Sequence, residues 1–553
     1  MQNKIIITVL SAIVIGGMWF YYQVEGVSPE LAIFNQGDKQ TDRDPVETVD
    51  GYGVSASNPL AVEAGMEILE KGGSAADAAV TVSYVLSVVE PYGSGIGGGG
   101  ETLYYPADGE PTTYVYNENA PLNGQMPDDN VGLPGFVKGM ERLNKDLGNL
   151  KMSELIQPAI DIAEEGFKVD NSLHGRLEAA QYRMPISELP HLYPGGTPVN
   201  PGVEIKQEQL AGTLKAIRDG GADSFYNDQL GQNFLAQTSG HTEQDLTQYE
   251  VKTAAPAKGS FAGYDVLTAP PPFGGTTLIQ TLNMVEDIGL EKAAANDEQY
   301  IHLLGEVIKR SYSDRLGTIS DPEFNPINVD ELTSDAYAEK LASDISMENL
   351  SEEYEINDSP ADEADHNNTT HFVIVDKEGN MASTTNTLSN FFGSGKFVDG
   401  YFLNNQLSNF SETPGSVNAP EPGKSPRSYT APTILAKDGQ PFMGIGTPGG
   451  KRIPMMIADV LTRHLLLDQP LEDVVEAPRF YVEEEEVIME EAFADNLDED
   501  TKAKLQVQGY RLDTYNSDQF YGAIHSLVIN RDKEMMYGAS DSRRAGDWQI
   551  KEN

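Results

Sequence analysis

The tetrad Asn368-Thr369-Thr370-His371 contains a residue that can serve as nucleophile and base together. It follows an acidic, polar stretch ending at Asp365 and opens the apolar run Phe372-Val-Ile-Val375, so we expect an exposed loop to meet a buried strand at one peptide bond. If the chain is cut between Asn368 and Thr369, Thr369 gains a free α-amino group beside its own hydroxyl. That amine takes the hydroxyl proton, which makes Thr369 an N-terminal nucleophile. Taken alone, the tetrad equally suits an ordinary strand start, because threonine is a good strand former.

Composition narrows the classes of function. The 553 residues include no cysteine, which excludes structural disulfides, thiolate catalysis and cysteine-based zinc sites. The histidines show neither HxH nor HExxH spacing, so a histidine metal site has no support, and the sequence implies no metal or organic cofactor. The formal net charge of −48 predicts repulsion from nucleic-acid phosphates and argues against a nucleic-acid partner.

The N-terminal segment carries a targeting signal. Residues 5–22 form an uncharged, mostly apolar run after Lys4, and this run is just long enough to span a bilayer. The positive flank is expected to stay inside, which places the bulk of the chain at the outer cell surface. We favour an uncleaved membrane anchor over residues 1–22, because no clear small-x-small site for a signal peptidase follows the run. Removal of the segment would instead give a secreted protein. Residues 23–50 are polar and acidic and are predicted to form a tether.

Capping residues and glycines predict the elements ahead of the tetrad. Asn58-Pro59 indicates the start of one helix, and Ser74 indicates the start of a second, apolar helix that ends near Glu90. The run Ser94-Gly-Ile-Gly-Gly-Gly-Gly100 lacks the Gly-Lys-Ser/Thr ending of a phosphate loop and precedes a strand. It therefore predicts a close approach of backbone to another backbone or to a ligand. Helical patterns dominate residues 150–350.

Strand patterns dominate after the tetrad. Three hairpins are predicted at residues 371–388, 432–445 and 523–537, each with polar or glycine-containing turn residues between two apolar runs. A helix is predicted over 452–467. Helices first and hairpins later, both with apolar faces, predict an α/β architecture of two sheets between helical layers.

A series of short motifs resembles those of the γ-glutamyltransferase family in the same order. The resemblance covers residues 53–105, 131–168, 259–322 and 369–480. It rests on Asn58-Pro-Leu-Ala61, Lys71-Gly-Gly73, Val89-Glu-Pro91, Ser94-Gly-Ile-Gly-Gly-Gly-Gly100, Pro270-Pro-Pro272, Thr369-Thr-His371, Leu403-Asn-Asn-Gln406, Pro432-Thr433, Thr447-Pro-Gly-Gly450 and Ala477-Pro-Arg-Phe480. It implies an N-terminal-nucleophile hydrolase fold, which is an αββα sandwich made of two subunits from one self-cleaved precursor.

The resemblance also implies a reaction. A cut between Asn368 and Thr369 would leave a large subunit over residues 51–368, paired as a heterodimer with a small catalytic subunit over residues 369–553. Thr369 would attack a γ-glutamyl amide of a polymer or peptide, and water or an amine acceptor would resolve the acyl-enzyme. The family roles further imply that Thr387 hydrogen-bonds the nucleophile and that Gly449-Gly450 binds the oxyanion. Two backbone N–H groups without nearby side chains suit that task.

Two departures from the family pattern concern the substrate. Glutathione-type members hold the α-carboxylate with an Arg where this chain has Asn117, and they hold the α-ammonium with an Asp where it has Asn409. Both charged contacts for a free amino-acid end are therefore replaced by neutral amides. Two further positions also depart from the family: Ser389 stands where the family has Asn, and Tyr429 replaces the second residue of a Ser-Ser pair whose first is kept as Ser428. The resemblance also implies Gln406 as a substrate position.

The departures resemble the capsule-type members, which cut and transfer poly-γ-glutamate. The segment 411–424, where glutathione-type members carry a lid loop, is short, which predicts an open cleft for a passing chain. In that subgroup basic residues hold the polymer carboxylates, and the matching positions are Arg452 and Arg543. Arg427 and Arg544 are nearby candidates from this sequence alone. A structural role is the alternative for each arginine.

We therefore expect an outward-facing γ-glutamyl hydrolase and transferase that acts on poly-γ-glutamate. One alternative is a glutathione-type γ-glutamyltransferase with altered donor contacts. Another is an inactive surface binding protein on the same scaffold, which the intact Thr369 and Gly449-Gly450 argue against.

Overall fold

The computed structural model describes residues 45–351, 354–360, 368–517 and 520–553. The predicted membrane anchor and most of the predicted tether lie outside these ranges. Val46, near the end of the predicted tether, already pairs with Met536 through two backbone hydrogen bonds of 3.0 Å, so the described body begins before Gly51. Within the described ranges, every helix is too short or too polar to cross a membrane.

The α-helices of the described residues are numbered in chain order. They are α1 Pro59–Glu70, α2 Ala75–Val89, α3 Phe136–Leu147, α4 Met152–Glu165, α5 Asn171–Ala180, α6 Glu208–Gly220, α7 Asp223–Tyr226, α8 Gln229–Gln237, α9 Glu243–Gln248, α10 Gly275–Ile288, α11 Asp297–Thr318, α12 Val329–Leu332, α13 Asp335–Ala342, α14 Ile453–Leu461, α15 Leu471–Glu476, α16 Glu491–Asn496 and α17 Glu499–Gln508.

The strands are numbered in the same way. They are β1 Gly51–Ala56, β2 Gly99–Tyr105, β3 Thr112–Val115, β4 Phe167–Lys168, β5 Glu204–Ile205, β6 Lys252–Ala254, β7 Ala257–Phe261, β8 Tyr264–Thr268, β9 Thr370–Val375, β10 Met381–Thr387, β11 Phe397–Val398, β12 Tyr401–Phe402, β13 Thr433–Lys437, β14 Gln440–Gly446, β15 Phe480–Glu483, β16 Glu486–Met489, β17 Arg511–Thr514, β18 His525–Asn530, β19 Met535–Ser540 and β20 Asp547–Glu552.

The predicted helix starts and hairpins are confirmed. The Asn58 side chain accepts a hydrogen bond of 3.0 Å from the Leu60 N–H at the start of α1. Ser74 and Asp77 form a reciprocal capping box at the start of α2. The three predicted hairpins are β9–β10, β13–β14 and β18–β19.

The helix predicted over 452–467 is divided into three parts. A 3-10 turn covers Gly450–Arg452, α14 follows, and a π-helical turn covers Thr462–Leu466. The Thr462 hydroxyl donates a hydrogen bond of 2.7 Å to the Ala458 carbonyl where the regular helix ends. Such side-chain bonds compete with the regular helical pattern, and apolar periodicity alone does not reveal them.

Two antiparallel sheets form the centre of the molecule. One has the strand order β20-β1-β9-β10-β2-β3-β6, and the other has the order β19-β18-β14-β13-β8-β7. Alternate residues of the strands fill the space between the sheets, as Val373 and Val375 do on β9. Phe372 and Ile374 face the opposite way and pack in the core that contains α1 and α2. The second sheet packs its outer face on α10, α11 and α14. The result is four layers, helix–sheet–sheet–helix, as predicted.

The two sheets are in close contact at a glycine. Gly446 on β14 lies directly against the buried ring of His371 on β9, and a Cβ at this position would overlap that ring. The His371 Nδ1 atom lies 2.9 Å from the Thr385 hydroxyl. Burial, together with the neighbouring His525, lowers the pKa of His371 well below its usual value, so the ring is neutral in this apolar space.

We predict that Gly446→Ala destabilises the protein. The added methyl would push the His371 ring and separate the sheets, and overpacking of this kind costs about 1–3 kcal/mol. Gly212→Ala is the matched control, because Gly212 lies inside α6 and a Cβ there meets open space. That control should be neutral or stabilising by about 0.4–1 kcal/mol. Thermal unfolding midpoints measure both changes, and equal midpoints for the two variants would contradict the close sheet contact.

Candidate active site

The register of the central hairpin brings two threonine hydroxyls together. Thr370 pairs with Asn386 across β9 and β10, so Thr369, one residue earlier, lies opposite Thr387. The two Oγ1 atoms are 3.2 Å apart. Thr369 is 4% exposed and Thr387 is 6% exposed. The predicted pairing of nucleophile and partner hydroxyl is therefore present in the uncut chain.

The Asn368 carbonyl is the common acceptor of both hydroxyls. Thr387 donates to it at 3.0 Å, and the Thr369 hydroxyl also donates to it. The Thr387 oxygen in turn accepts the Ser389 N–H at 2.9 Å. The carbonyl next to the predicted cut is thus polarised by a hydroxyl while a second hydroxyl lies beside its carbon.

Asn368 and Thr369 are both buried, so the predicted cleavage bond itself lies inside the protein. Residues 361–367, where the sequence predicts the exposed loop, lie outside the described ranges. Asn368 is buried, and its side-chain amide donates a hydrogen bond of 2.9 Å to the Asn390 carbonyl. These contacts withdraw the bond from solvent, an arrangement that suits cleavage by a group of the protein itself.

The glycine run supports Thr387 by close backbone contact, as the sequence predicted. β2 lies beside β10, with Gly99 opposite Thr387. A Cβ at Gly98 would overlap the Thr387 carbonyl, and one at Gly100 would overlap the Thr385 carbonyl. Only glycine permits this spacing.

A buried acid and a buried arginine lie behind the nucleophile. The Thr370 hydroxyl donates to the Glu90 carboxyl at 2.9 Å. Burial raises the pKa of Glu90 to about 7, against the hydrogen bonds from Ser57 and Thr370. Arg544 donates to the Thr369 carbonyl at 3.3 Å. These contacts fix the backbone directly after the Thr369 Cα.

The predicted oxyanion glycines form a turn at the start of a helix. Gly449 has a φ of 142° and Gly450 a φ of 57°, a backbone region that favours glycine. Gly450 begins the 3-10 turn that leads into α14, so the start of a helix lines the same cleft as Thr369. A helix start favours developing negative charge.

One cleft gathers most of the predicted site residues. Its lining contains the predicted Thr369, Thr387, Ser389, Gln406, Asn409, Ser428, Tyr429 and Gly450, together with Asn368, Thr430, Lys451 and Ile453. The predicted residues outside this lining are Asn117, Gly449, Arg452 and Arg543, together with the further candidates Arg427 and Arg544. Gly449 directly precedes a lining residue, and Asn117 is buried next to Gly99, one strand away from Thr387.

Asn409 lies among neutral groups. Its side-chain amide donates to the Ser389 hydroxyl at 3.4 Å and to the Gln406 carbonyl at 3.1 Å. Ser389 has a positive φ of 74°, which is strained for a residue with a side chain. The strain turns Ser389 so that its N–H reaches Thr387 and its hydroxyl reaches Asn409.

The segment Ser428–Thr430 forms another part of the lining. The Ser428 and Thr430 hydroxyl oxygens are 3.0 Å apart, and the Ser428 N–H donates to the Pro272 carbonyl at 2.9 Å. The Arg315 guanidinium stacks on the Tyr429 ring at 3.5 Å. The contacts with Pro272 and Arg315 hold this segment at the cleft.

The predicted carboxylate-binding arginines are engaged in contacts within the protein. Arg543 donates to Glu490 at 2.6 and 2.8 Å and to Asp541 at 3.1 Å. Arg452 donates to the Phe520 carbonyl at 2.8 Å and stacks on the Phe520 ring at 3.6 Å. In this structure neither reaches the cleft, and contact with a substrate stays a prediction. Their present geometry fits the structural alternative.

The segment before the predicted cut packs over the short loop 411–418. Asp358 forms a buried ion pair with Arg427 and accepts the Glu412 N–H through its carbonyl at 3.1 Å. Burial lowers the pKa of Arg427 to about 8. In the uncut chain this part of the large subunit therefore contacts the short segment in which the sequence predicts no lid.

Sequence reasoning missed several residues at the site. Lys451 and Ile453 line the cleft beside Gly450, Thr430 lines it beside Ser428, and Glu90 lies behind Thr370. Lys451 had a usable signal, because it directly follows the predicted oxyanion glycines. The role of Glu90 depends on the packing of α2 against β9, which a local motif does not show.

Comparison with known proteins identifies relatives over nearly the whole chain. The family model for Gamma-glutamyltranspeptidase matches residues 61–550. The capsule biosynthesis protein CapD proenzyme of Bacillus anthracis is 39% identical over 549 residues, which are 99% of this chain and 98% of the relative. A glutathione hydrolase proenzyme of Bacillus subtilis (strain 168) is 31% identical over 536 residues, which are 89% of this chain and 90% of the relative.

Solved structures share the fold. Cephalosporin acylase from Bacillus halodurans superposes with a TM-score of 0.81 at 24% identity, covering 93% of this chain and 98% of its own. Gamma-glutamyltranspeptidase of Helicobacter pylori superposes with a TM-score of 0.51 at 33% identity, covering 54% of this chain and 93% of its own.

We predict that Thr369→Ala abolishes both chain cleavage and turnover, because one hydroxyl starts both reactions. Thr369→Ser is the matched control and should retain part of each, since it keeps a hydroxyl at the same position. Mass spectrometry of the smaller fragment and turnover of a γ-glutamyl anilide measure the two effects. Normal processing of the alanine variant would remove Thr369 from the mechanism.

We predict that Gly450→Ala lowers turnover by about 10²–10³, because the methyl redirects a backbone N–H that faces the developing oxyanion. Gly439→Ala is the control for backbone strain. Gly439 also has a positive φ, of 75°, and lies in the β13–β14 turn with open space around it. If both variants lose activity equally, or if Gly450→Ala keeps full turnover, the oxyanion is bound elsewhere.

Proposed function

This chain belongs to the γ-glutamyltranspeptidase family, and from that premise we propose that it cleaves and transfers γ-glutamyl units of poly-γ-glutamate. Membership of the family and the N-terminal-nucleophile hydrolase sandwich confirm the two main predictions from the motifs. The family activity is hydrolysis or transfer at a γ-glutamyl bond by an enzyme that processes its own precursor. The polymer substrate is the proposed part.

Self-cleavage is the first step of the proposed mechanism. The Thr369 oxygen adds to the Asn368 carbonyl carbon, and the Thr387 hydroxyl stabilises the resulting oxyanion through its existing 3.0 Å hydrogen bond. The C–N bond breaks as the nitrogen takes a proton, which leaves an ester between Asn368 and the Thr369 oxygen. Water hydrolyses this ester and releases a carboxyl group on Asn368 and a free amine on Thr369.

Turnover then uses the new amine. It accepts the Thr369 hydroxyl proton while the oxygen attacks a γ-amide carbonyl. The backbone N–H groups at Gly449-Gly450 stabilise the oxyanion. The amide nitrogen leaves with a proton, and water or an amine attacks the ester to regenerate Thr369. We propose that the two fragments stay paired as a heterodimer, because β9 and β10 lie between β1 and β2 of the larger fragment.

The neutral character of the cleft carries the proposal for a polymer. Its lining contains hydroxyls, amides and Lys451, and no carboxylate is among the lining residues that the structure describes. A free α-ammonium would find no counter-charge there. An internal unit of poly-γ-glutamate has an amide nitrogen at that position. The neutral Asn409 side chain can form a hydrogen bond with that amide without a counter-charge. The relative that carries a capsule name supports the same choice.

We further propose an outer-surface location, with residues 1–22 as membrane anchor. The support is the uncharged run after Lys4 and the acidic stretch that follows it. At a net charge of −48, the surface repels a polyanion at long range. Binding of the polymer therefore needs local positive charge and should respond to salt.

We predict that the protein shortens poly-γ-glutamate on a sizing column far faster than it consumes glutathione. Asn117→Arg with Asn409→Asp restores both counter-charges and should shift preference toward glutathione. A charge-assisted hydrogen bond contributes about 1.5–3 kcal/mol, so each restored contact should change the ratio of kcat/KM by about ten-fold or more.

Asn117→Gln with Asn409→Gln is the matched control, because it alters both side chains without adding charge. It should leave the preference for polymer in place. Efficient glutathione turnover by the unaltered protein, with no shortening of the polymer, would favour the glutathione-type alternative.

A further inference from the structure

Among the described residues that line the cleft with Thr369, Lys451 is the one with a charged side chain. It lies between Gly450, which also lines the cleft, and Arg452, which is buried and stacked on Phe520. The Lys451 side chain is 10% exposed. Its ammonium group is therefore largely removed from solvent, and its charge is weakly screened inside the cleft.

In this structure Lys451 pairs with a carboxylate of the protein. The Lys451 Nζ atom forms an ion pair with Glu483, whose side chain is 22% exposed at the end of β15. The acidic run Glu483-Glu-Glu-Glu486 thus supplies a counter-charge to Lys451, although Glu483 itself is not among the lining residues. The Lys451 backbone is also fixed, because its carbonyl accepts a hydrogen bond from the buried Tyr312 hydroxyl.

We propose that Lys451 is a specificity-determining residue that binds an α-carboxylate of the substrate in exchange for Glu483. This inference rests on the proposed polymer substrate and identifies the cation that the polymer needs. No covalent step is involved, since one carboxylate replaces another at the same ammonium group.

The exchange requires only small movements of two side chains. An ammonium group on a flexible four-carbon stem carries three donors that rotate, so it changes partner without remodelling of the backbone. Lys451 stays paired before and after the exchange, and Glu483 moves toward solvent, to which it is already partly open. Arg543 is less suited to such a change, because it donates to two carboxylates and to the Ala477 carbonyl at once.

A purely structural role for the Lys451–Glu483 pair makes a different prediction. The pair ties the turn at Gly450 to β15, so its loss would disturb the oxyanion site for every substrate. Specific recognition would instead affect only substrates that carry an α-carboxylate. Two matched substrates separate these effects: a short γ-linked glutamyl oligomer with free α-carboxylates, and the same oligomer with every α-carboxylate converted to a carboxamide.

The experiment measures kcat/KM for both oligomers with the self-processed protein. The wild type should prefer the carboxylate oligomer. Lys451→Met should lower this preference by about ten-fold to one hundred-fold, the range for loss of a charge-assisted contact, and leave turnover of the carboxamide oligomer unchanged. Lys451→Arg should keep the preference. Lys437→Met is the control, because Lys437 pairs with Asp532 on the exposed surface and its loss alters net charge equally.

Glu483→Gln tests the exchange from the other side. It removes the competing carboxylate, so KM for the carboxylate oligomer should fall, while KM for the carboxamide oligomer should not. This variant decides the matter even if Lys451→Met fails to fold or to process itself.

Three outcomes would overturn the inference. An equal loss on both oligomers with Lys451→Met would assign the pair a structural role. An unchanged preference in that variant would place the carboxylate at another cation. An unchanged KM with Glu483→Gln would refute the exchange. If the wild type cleaves neither oligomer but consumes glutathione, the proposed function itself fails, which is a distinct result.

Discussion

The register of β9 against β10 is the constraint on which the site depends. Thr370 pairs with Asn386, and this register sets the Thr369 and Thr387 hydroxyls 3.2 Å apart at the Asn368 carbonyl. A slip of one residue would turn every side chain of β9 to the other face of the sheet. The apolar alternation of Phe372–Val375, which fills a core on each face, therefore also positions the nucleophile.

The same arrangement explains how the molecule tolerates a cut in its centre. β9 begins at the predicted cleavage bond, yet β1 on one side and β10 on the other hold it by backbone hydrogen bonds. The second sheet covers its inner face, with Gly446 in contact with His371. Cleavage at that bond would free one amine and leave the backbone pairing of β9 with β1 and β10 intact.

Local signals in the sequence predicted the helices and hairpins well, but they did not predict the contacts between residues that are distant in the chain. Cap residues such as Ser74, the glycine run and the three hairpins were all predictable, because each depends on neighbours within a few positions. The burial of Asn368, the strained φ of Ser389 and the ion pairs of Arg543 depend on groups far away in the chain. A motif names which residue is present; packing decides whether its side chain faces the cleft.

The charge of the cleft is best understood against the charge of the whole protein. At a net charge of −48, the protein itself supplies carboxylates that pair with several cations near the site. Arg427 pairs with Asp358, Arg543 with Glu490, and Lys451 with Glu483. A polyanionic substrate must compete with these internal partners for positive charge. Selectivity for carboxylates then depends less on the number of cations than on which internal carboxylate is the easiest to displace. Glu483 meets both conditions, because its partner Lys451 lines the cleft and its own side chain is partly exposed to solvent.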